Sequence, residues 1–184
     1  MIFSAFPAVD YDGTPTSDIF RNYRQYVLAA AKDIILRDYL IEGMDRPELI
    51  SWKLYDDSQY YWLLLMLNSN YDPFHGWIKS QDAVHKSANY KYENAGGVNQ
   101  IAYHVDEKGK RHYNLYEDPN NPRMWYDKID KQRQHLQYKG VLVPVTIIED
   151  ELAKNEDKRV IKIISPGDLS TFMTNFKRII GNVK

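Results

Sequence analysis

The chain has 184 residues and a mass of 21.7 kDa, with no cysteine and a formal charge of -1 from 24 Lys and Arg against 25 Asp and Glu. Without cysteine there is no thiol catalysis, no cysteine metal knuckle and no disulfide staple, so stability must come from a hydrophobic core. Balanced charge leaves no basic excess for wrapping nucleic acid, and the longest purely apolar run, residues 60–67, is too short to span a membrane.

Tyrosine fills 15 positions and tryptophan four, beside six phenylalanines. A tyrosine buries a rigid ring and keeps a polar tip, which suits a surface covered on assembly or ligand binding, and also a semi-polar core. The opening MIFSAFPAVDYDG lacks the basic and long apolar regions of a secretory leader, so none is expected. Residues 1–15, with Pro7, Gly13 and Pro15, read as an extended arm, in which Phe3 and Phe6 can anchor to this chain or to a neighbour. Thr16 or Ser17 can cap an amino-terminal helix within residues 16–33 that carries Ile19, Phe20, Tyr23 and Val27 on one face.

Residues 34–43 end in a predicted strand whose partial alternation fits cover on both sides. Asp45, Pro47 and Glu48 have the spacing of a capping box for a short helix through Leu49 and Trp52. Ser58 can cap a second helix, QYYWLLLMLN, which is apolar nearly all round and must be enclosed. The link NSNYDPFHGW sets Tyr71, Phe74 and Trp77 among turn formers, where helix periodicity does not explain them. They are candidate protein-contact residues, or rings folded back over the apolar helix. Ser80 caps a weakly amphipathic helix over residues 81–93 with Val84 and Ala88 inward, and NAGG at 94–97 stops it.

IAYHVDEKGKRHYNL, residues 101–115, predicts a β-hairpin. A two-residue turn at Lys108-Gly109 would set Val105 opposite His112 and point His104 and His112 to opposite faces. Residues 116–138, with Pro119, Pro122 and many charges, read as irregular, with helical turns near Met124. Pro144 keeps its segment from a central strand position, and a charged helix follows over residues 146–157. Val160–Ile164 is a strand, Ser165, Pro166 and Asp168 have cap spacing, and Leu169, Phe172, Met173, Phe176, Ile179 and Ile180 form the stripe of a docked carboxy-terminal helix closed by Gly181. The fold class is α+β, one small mixed domain with a packed carboxy-terminal helix.

No constellation of chemistry emerges. The five histidines have no metal-ligand spacing, and acidic loops of calcium type, nucleophile elbows, P-loops and dinucleotide fingerprints are missing. NAGGV follows a helix instead of a strand, the wrong context for phosphate. Asp56 and Asp57 adjoin in an inter-helix turn without the separation a glycosidase needs. KGKRHY is neutralised by Asp106 and Glu107 as a single-strand platform. No catalytic, cofactor or metal site is expected.

Four segments carry a resemblance: TSDIFRNYRQY from Thr16, YYWLLLMLNSNYDPFHGWIKSQDA from Tyr60, IAYHVDEKGKRHYNL from Ile101 and MWYDKIDK from Met124. In that order, and ending in IKIISPGDLSTFM, they resemble the baseplate wedge protein 53 family of T4-like contractile-tailed bacteriophages over nearly the whole chain. The amino-terminal arm looks shorter than is usual in that family. The resemblance implies a non-catalytic structural subunit that joins neighbouring wedges around the central hub during tail assembly, with about six copies per baseplate in the family. Its implied partners are other wedge subunits, with the hub a further candidate, and its implied place is the virion tail baseplate after assembly in the host cytoplasm. The resemblance also implies a LysM-like strand-helix-helix-strand region at residues 34–80; residues 81–184, comprising a helix, the β-hairpin and a carboxy-terminal α/β region, are expected to pack with it. LysM modules elsewhere bind N-acetylglucosamine polymers, which makes glycan binding, or less directly peptidoglycan hydrolysis, the alternative function.

Overall fold

The computed structural model describes residues 6–19, 21–72 and 75–182. The chain divides into two compact units: Lys79–Asp157 forms one, and the segments before and after it form the other. The grouping expected over residues 81–184 is therefore split, because its last strand and helix belong with the first unit.

The first unit opens with strands β1 (Ala8–Tyr11) and β2 (Thr14–Ser17), paired antiparallel. Asp12 at φ 50° and Gly13 at φ 75° supply two left-handed residues, the requirement of the tight turn that favours Asp-Gly. A hairpin thus stands where an extended arm was expected, and Thr16 and Ser17 are strand residues instead of helix caps. Helix α1 (Arg24–Ala30) follows, burying Val27 and Ala30, with Tyr23 buried just before it. Ile19, expected on the same apolar face, is 57% exposed because the helix begins after it.

Strand β3 (Leu36–Leu40), helix α2 (Pro47–Tyr55) and helix α3 (Tyr61–Leu67) come next. Pro47 stands in the first turn as expected, but Arg46 is the N-cap and no side chain caps the helix. Asp45 is engaged elsewhere: its carboxylate takes Lys53 Nζ at 2.6 Å and its carbonyl accepts the Trp77 indole N–H at 2.8 Å. Asp57, one residue ahead of the expected Ser58, accepts from the Gln59 amide at 2.8 Å and starts the turn into α3. The strand expected to close this region after NYDPF is not found among the described residues. β3 pairs instead with strand β10 (Val160–Ile164), in antiparallel register from Val160↔Leu40 to Ile164↔Leu36. Arg37, Asp38 and Leu40 are exposed, so β3 is not covered on both sides.

Helix α3 is the wall between two clusters. Trp62, Leu63 and Leu67 pack with Tyr23, Val27, Ile164 and the buried Phe172, Phe176 and Ile180 of helix α6 (Leu169–Gly181). Leu64 enters the other cluster with Ile41, Ile50, Ile78, Ile161 and Ile163. The α6 stripe follows its sequence periodicity, with Leu169, Met173 and Ile179 half-buried beside it. A short turn, Pro166–Asp168, precedes the helix, so Ser165 does not cap it.

In the second unit, Ser80 caps helix α4 (Gln81–Tyr92), accepting from the Ala83 amide at 3.2 Å, and Val84 and Ala88 are buried. Gly96 at φ 94° stops the chain there. Strand β4 (Ile101–Val105) lies between β5 (Arg111–His112) and β9 (Val143–Thr146). Pro144 thus sits on an edge strand, where its missing N–H is tolerated. The β4–β5 register differs from expectation by one residue: His104 faces His112 and Val105 faces Arg111. Asp106 sets this register, its carboxylate accepting from the Lys108 and Lys110 amides, both at 2.9 Å, while Gly109 at φ 78° closes a three-residue loop. Both histidines therefore share one face, His104 against Trp125 and His112 against Tyr138, each with ring centroids 4.7 Å apart.

The stretch expected to be irregular is a second antiparallel sheet, β6 (Leu115–Glu117), β7 (Met124–Asp127) and β8 (Leu136–Lys139). Its core is Leu115, Trp125 and Leu142, with Tyr138 packed against them. Helix α5 (Ile147–Glu156) begins with a full capping box between Thr146 and Glu149. Asp150 on α5 accepts from Tyr103 Oη at 2.8 Å and pairs with Lys154 Nζ at 2.7 Å. Burial opposes its ionisation, but these two hydrogen bonds, Lys154 and Arg111 together hold the carboxyl below its ordinary value.

Two outcomes follow from this packing. Phe176 is fully buried against Trp62 and Phe172, so Phe176→Ala should cost about 3–5 kcal/mol in chemical denaturation. Asp150, depressed in the folded state, stabilises the second unit fully above the unfolded carboxylate range near 3.9, and that contribution is lost as pH falls through the lower folded value. Melts from pH 7 to pH 3 should show Asp150→Asn less stable at neutral pH and flatter in acid than the parent.

Candidate assembly surface

Within the first unit a groove of about 320 Å³ opens between the hairpin base, α1, α3 and the chain beyond α3. Phe6 forms one wall, stacked on Tyr23 with centroids 3.7 Å apart and planes within 6°. Tyr23 is held in turn by its hydroxyl, which donates to the Asp18 carbonyl. Helix α3 supplies Tyr61, Trp62 and Met66, and Tyr71 stands at the rim, 63% exposed. Trp62 is anchored from below by Phe176, with centroids 5.4 Å apart. The ring surface is therefore fixed by core packing, and little side-chain entropy remains to be lost when something covers it.

The polar groups of the groove are unequal. Arg21 Nε donates to the Asp18 carboxylate at 2.8 Å. Arg24 Nε is buried and has no hydrogen-bond partner among the described residues. A buried donor without an acceptor costs about 1–3 kcal/mol, which the packing around it must offset. A mainly apolar, aromatic wall suits a protein segment that carries a ring or aliphatic chain.

The structure places the candidate contact residues differently from one another. Phe6 and Tyr71 come together in the groove. Trp77 does not join them: its ring packs half-buried on the Ile41 and Ile50 cluster, with its indole N–H on Asp45. Phe3 and Phe74 lie outside the described residues. Tyr61 and Arg24 line the groove without having been singled out in the sequence, since neither its 36% exposure nor the burial of Arg24 Nε leaves a periodic trace.

Side chains of possible chemical use are spent locally. Tyr55 is half-buried and donates to the Ile164 carbonyl at 2.9 Å, and desolvation pushes its phenol up to about 12, out of acid–base range near neutrality. His112 Nε2 lies 3.1 Å from the Asp106 carboxylate, and burial lowers His104. Asp57 caps a turn, and its neighbour Asp56 is the left-handed residue that ends α2. Among the described residues no group of three or more His, Asp or Glu could hold a metal ion, and no helix is long and apolar enough to cross a membrane.

Comparison with known proteins supplies the class of assembly. The family described as base plate wedge protein 53 matches residues 1–179 of this chain. The baseplate wedge protein gp53 of Enterobacteria phage T4 is 43% identical over 189 residues, which cover 98% of this chain and 96% of the relative. The match runs through both units, so neither is an addition to an otherwise unrelated fold. The chain belongs to the base plate wedge protein 53 family.

Proposed function

We propose that this protein is a structural, non-catalytic subunit of a contractile-tail baseplate wedge, which joins neighbouring wedges around the central hub. It would act in the virion tail baseplate after assembly in the host cytoplasm, with other wedge subunits, and the hub as a further candidate, as its partners. The observation that carries the reading is the preformed aromatic groove. Rigid aromatic rings are the usual centre of a protein interface, and membership of the family supports a wedge subunit as the occupant.

A second reading draws on the order strand, helix, helix, strand in β3, α2, α3 and β10, which supports a LysM-like region whose closing strand is delayed by the inserted second unit. Trp52 on α2 is 56% exposed and offers a ring to a sugar. We infer protein contact and not glycan binding for this region, since most of its other rings are packed. Calorimetry with N-acetylglucosamine oligomers should show no saturable binding. Micromolar affinity mapped to residues 34–78 would reverse the preference.

Reconstitution of wedges tests the groove itself. Tyr71→Ala should leave melting within about 0.5 kcal/mol of the parent and weaken incorporation by about 30-fold, the loss of a contact residue worth about 2 kcal/mol. Tyr90→Ala, removing an 84% exposed ring from the second unit, serves as the control and should change neither property. Normal incorporation of Tyr71→Ala would remove the groove from the interface.

A further inference from the structure

Four strand edges bound the two small sheets of the first unit, and they are not treated alike. On β2, the register sets Pro15 opposite Asp10. The Asp18 amide donates to the Pro7 carbonyl at 3.0 Å, so the bonded pairs of this hairpin are Pro7–Asp18, Val9–Thr16 and Tyr11–Thr14. Position 15 therefore faces away from β1, and proline removes the donor from that edge. On β10, the outward groups of Lys162 are both occupied: its amide donates to Asn68 Oδ1 at 2.7 Å and its carbonyl accepts from Asn68 Nδ2 at 2.9 Å. Tyr55 Oη takes the Ile164 carbonyl on the same edge. Two of the four edges are thus closed by specific devices.

The other two edges are open. On β1 the outward backbone groups belong to Ala8 and Asp10. On β3 they belong to Leu36, Asp38 and Leu40, because the Ile41 amide donates to the Arg159 carbonyl and so fixes the alternation. None of these five has a hydrogen-bond partner for its outward groups among the described residues. The hairpin is also exposed along every residue of both strands. A two-stranded ribbon that buries nothing is marginal in water and needs a third strand or a surface. Its Val9, Tyr11, Thr14 and Thr16 share one face, and Val9 and Tyr11 are 43% and 78% exposed. On the other sheet, Leu40 and Val160 face each other across the ladder and are 61% and 53% exposed.

Charge distinguishes donor from acceptor. Asp10 and Asp12 are the charged groups of the hairpin, and neither has a hydrogen-bond or ion-pair partner among the described residues. Arg37 on β3 is exposed and likewise unpaired, while the adjacent Asp38 is neutralised by Lys162 at 2.6 Å. The β1 strand has four residues and β3 has five, so the two edges match in length.

We propose that β1 of one copy adds to the open edge of β3 in a second copy, joining copies head to tail. The contact is heterologous, using different surfaces on its two sides, so repetition builds a ring or a filament instead of a closed pair. This goes beyond the proposed wedge-joining role, because it concerns contact between copies of this chain and is independent of which other subunits fill the aromatic groove.

Sedimentation velocity of the full chain over a concentration series tests it. The parent should form dimers and larger species as concentration rises. Asp10→Pro and Asp38→Pro each remove an outward N–H and no ladder bond, so each variant should melt like the parent and stay monomeric alone. Mixed in equal amounts they should form dimers and stop there, since one live edge remains on each. As a check that leaves both backbones intact, Arg37→Glu should weaken association, and adding Asp10→Lys in the same chain should restore it. A parent that stays monomeric at its highest soluble concentration, variants that associate like the parent, a mixture without dimers, or charge variants without effect would each overturn the proposal.

Discussion

A seven-residue helix with Trp, Leu and Met on nearly every side has no stable place in water. Helix α3 is therefore the constraint around which the first unit is built. Its Trp62, Leu63 and Leu67 need α1 and α6 on one side, and its Leu64 needs β3, β10 and α2 on the other. Because β10 and α6 come from the far end of the chain, this unit closes only after the second unit has been traversed. The same enclosure leaves one flank of α3 uncovered. There Tyr61, Trp62 and Met66 meet Phe6, Tyr23 and Tyr71, and the aromatic groove is formed by what the core did not cover.

Where side-chain periodicity and local capping agreed, the fold was legible in the sequence. The stripe from Leu169 to Ile180, the Val160–Ile164 strand, the Ser80 cap and the edge position of Pro144 all depend on neighbours close in sequence. The misses have separate physical causes. Asp12-Gly13 is a strong hairpin signal, yet Pro7 and Pro15 on either side make the same residues resemble an arm. The β4–β5 register turned on one carboxylate, Asp106, which bonds two amides and lengthens the loop by a residue. In the β6–β8 sheet the strands are three or four residues long and separated by charged turns, so no periodic run betrays them. Pairing of β3 with β10 across 120 residues of chain has no local signature at all.

The candidate surface was legible only in part for a related reason. Phe6 and Tyr71 could be noticed as rings outside any helical period. Arg24 and Tyr61 belong to ordinary helical turns, and their place at the groove depends on segments distant in sequence meeting around them. Family membership supplies the assembly, and the packed aromatic floor supplies a reason why a small neutral protein with 15 tyrosines can serve as a rigid contact module. In this chain the core and the candidate surface share residues: Tyr23 and Trp62 pack in the core and line the groove at once.

A high-resolution map of the assembled baseplate would test the groove most directly, because it shows every neighbour of this chain. The expected result is a side chain from another subunit seated among Phe6, Tyr61 and Tyr71. A groove facing solvent in every copy would contradict it.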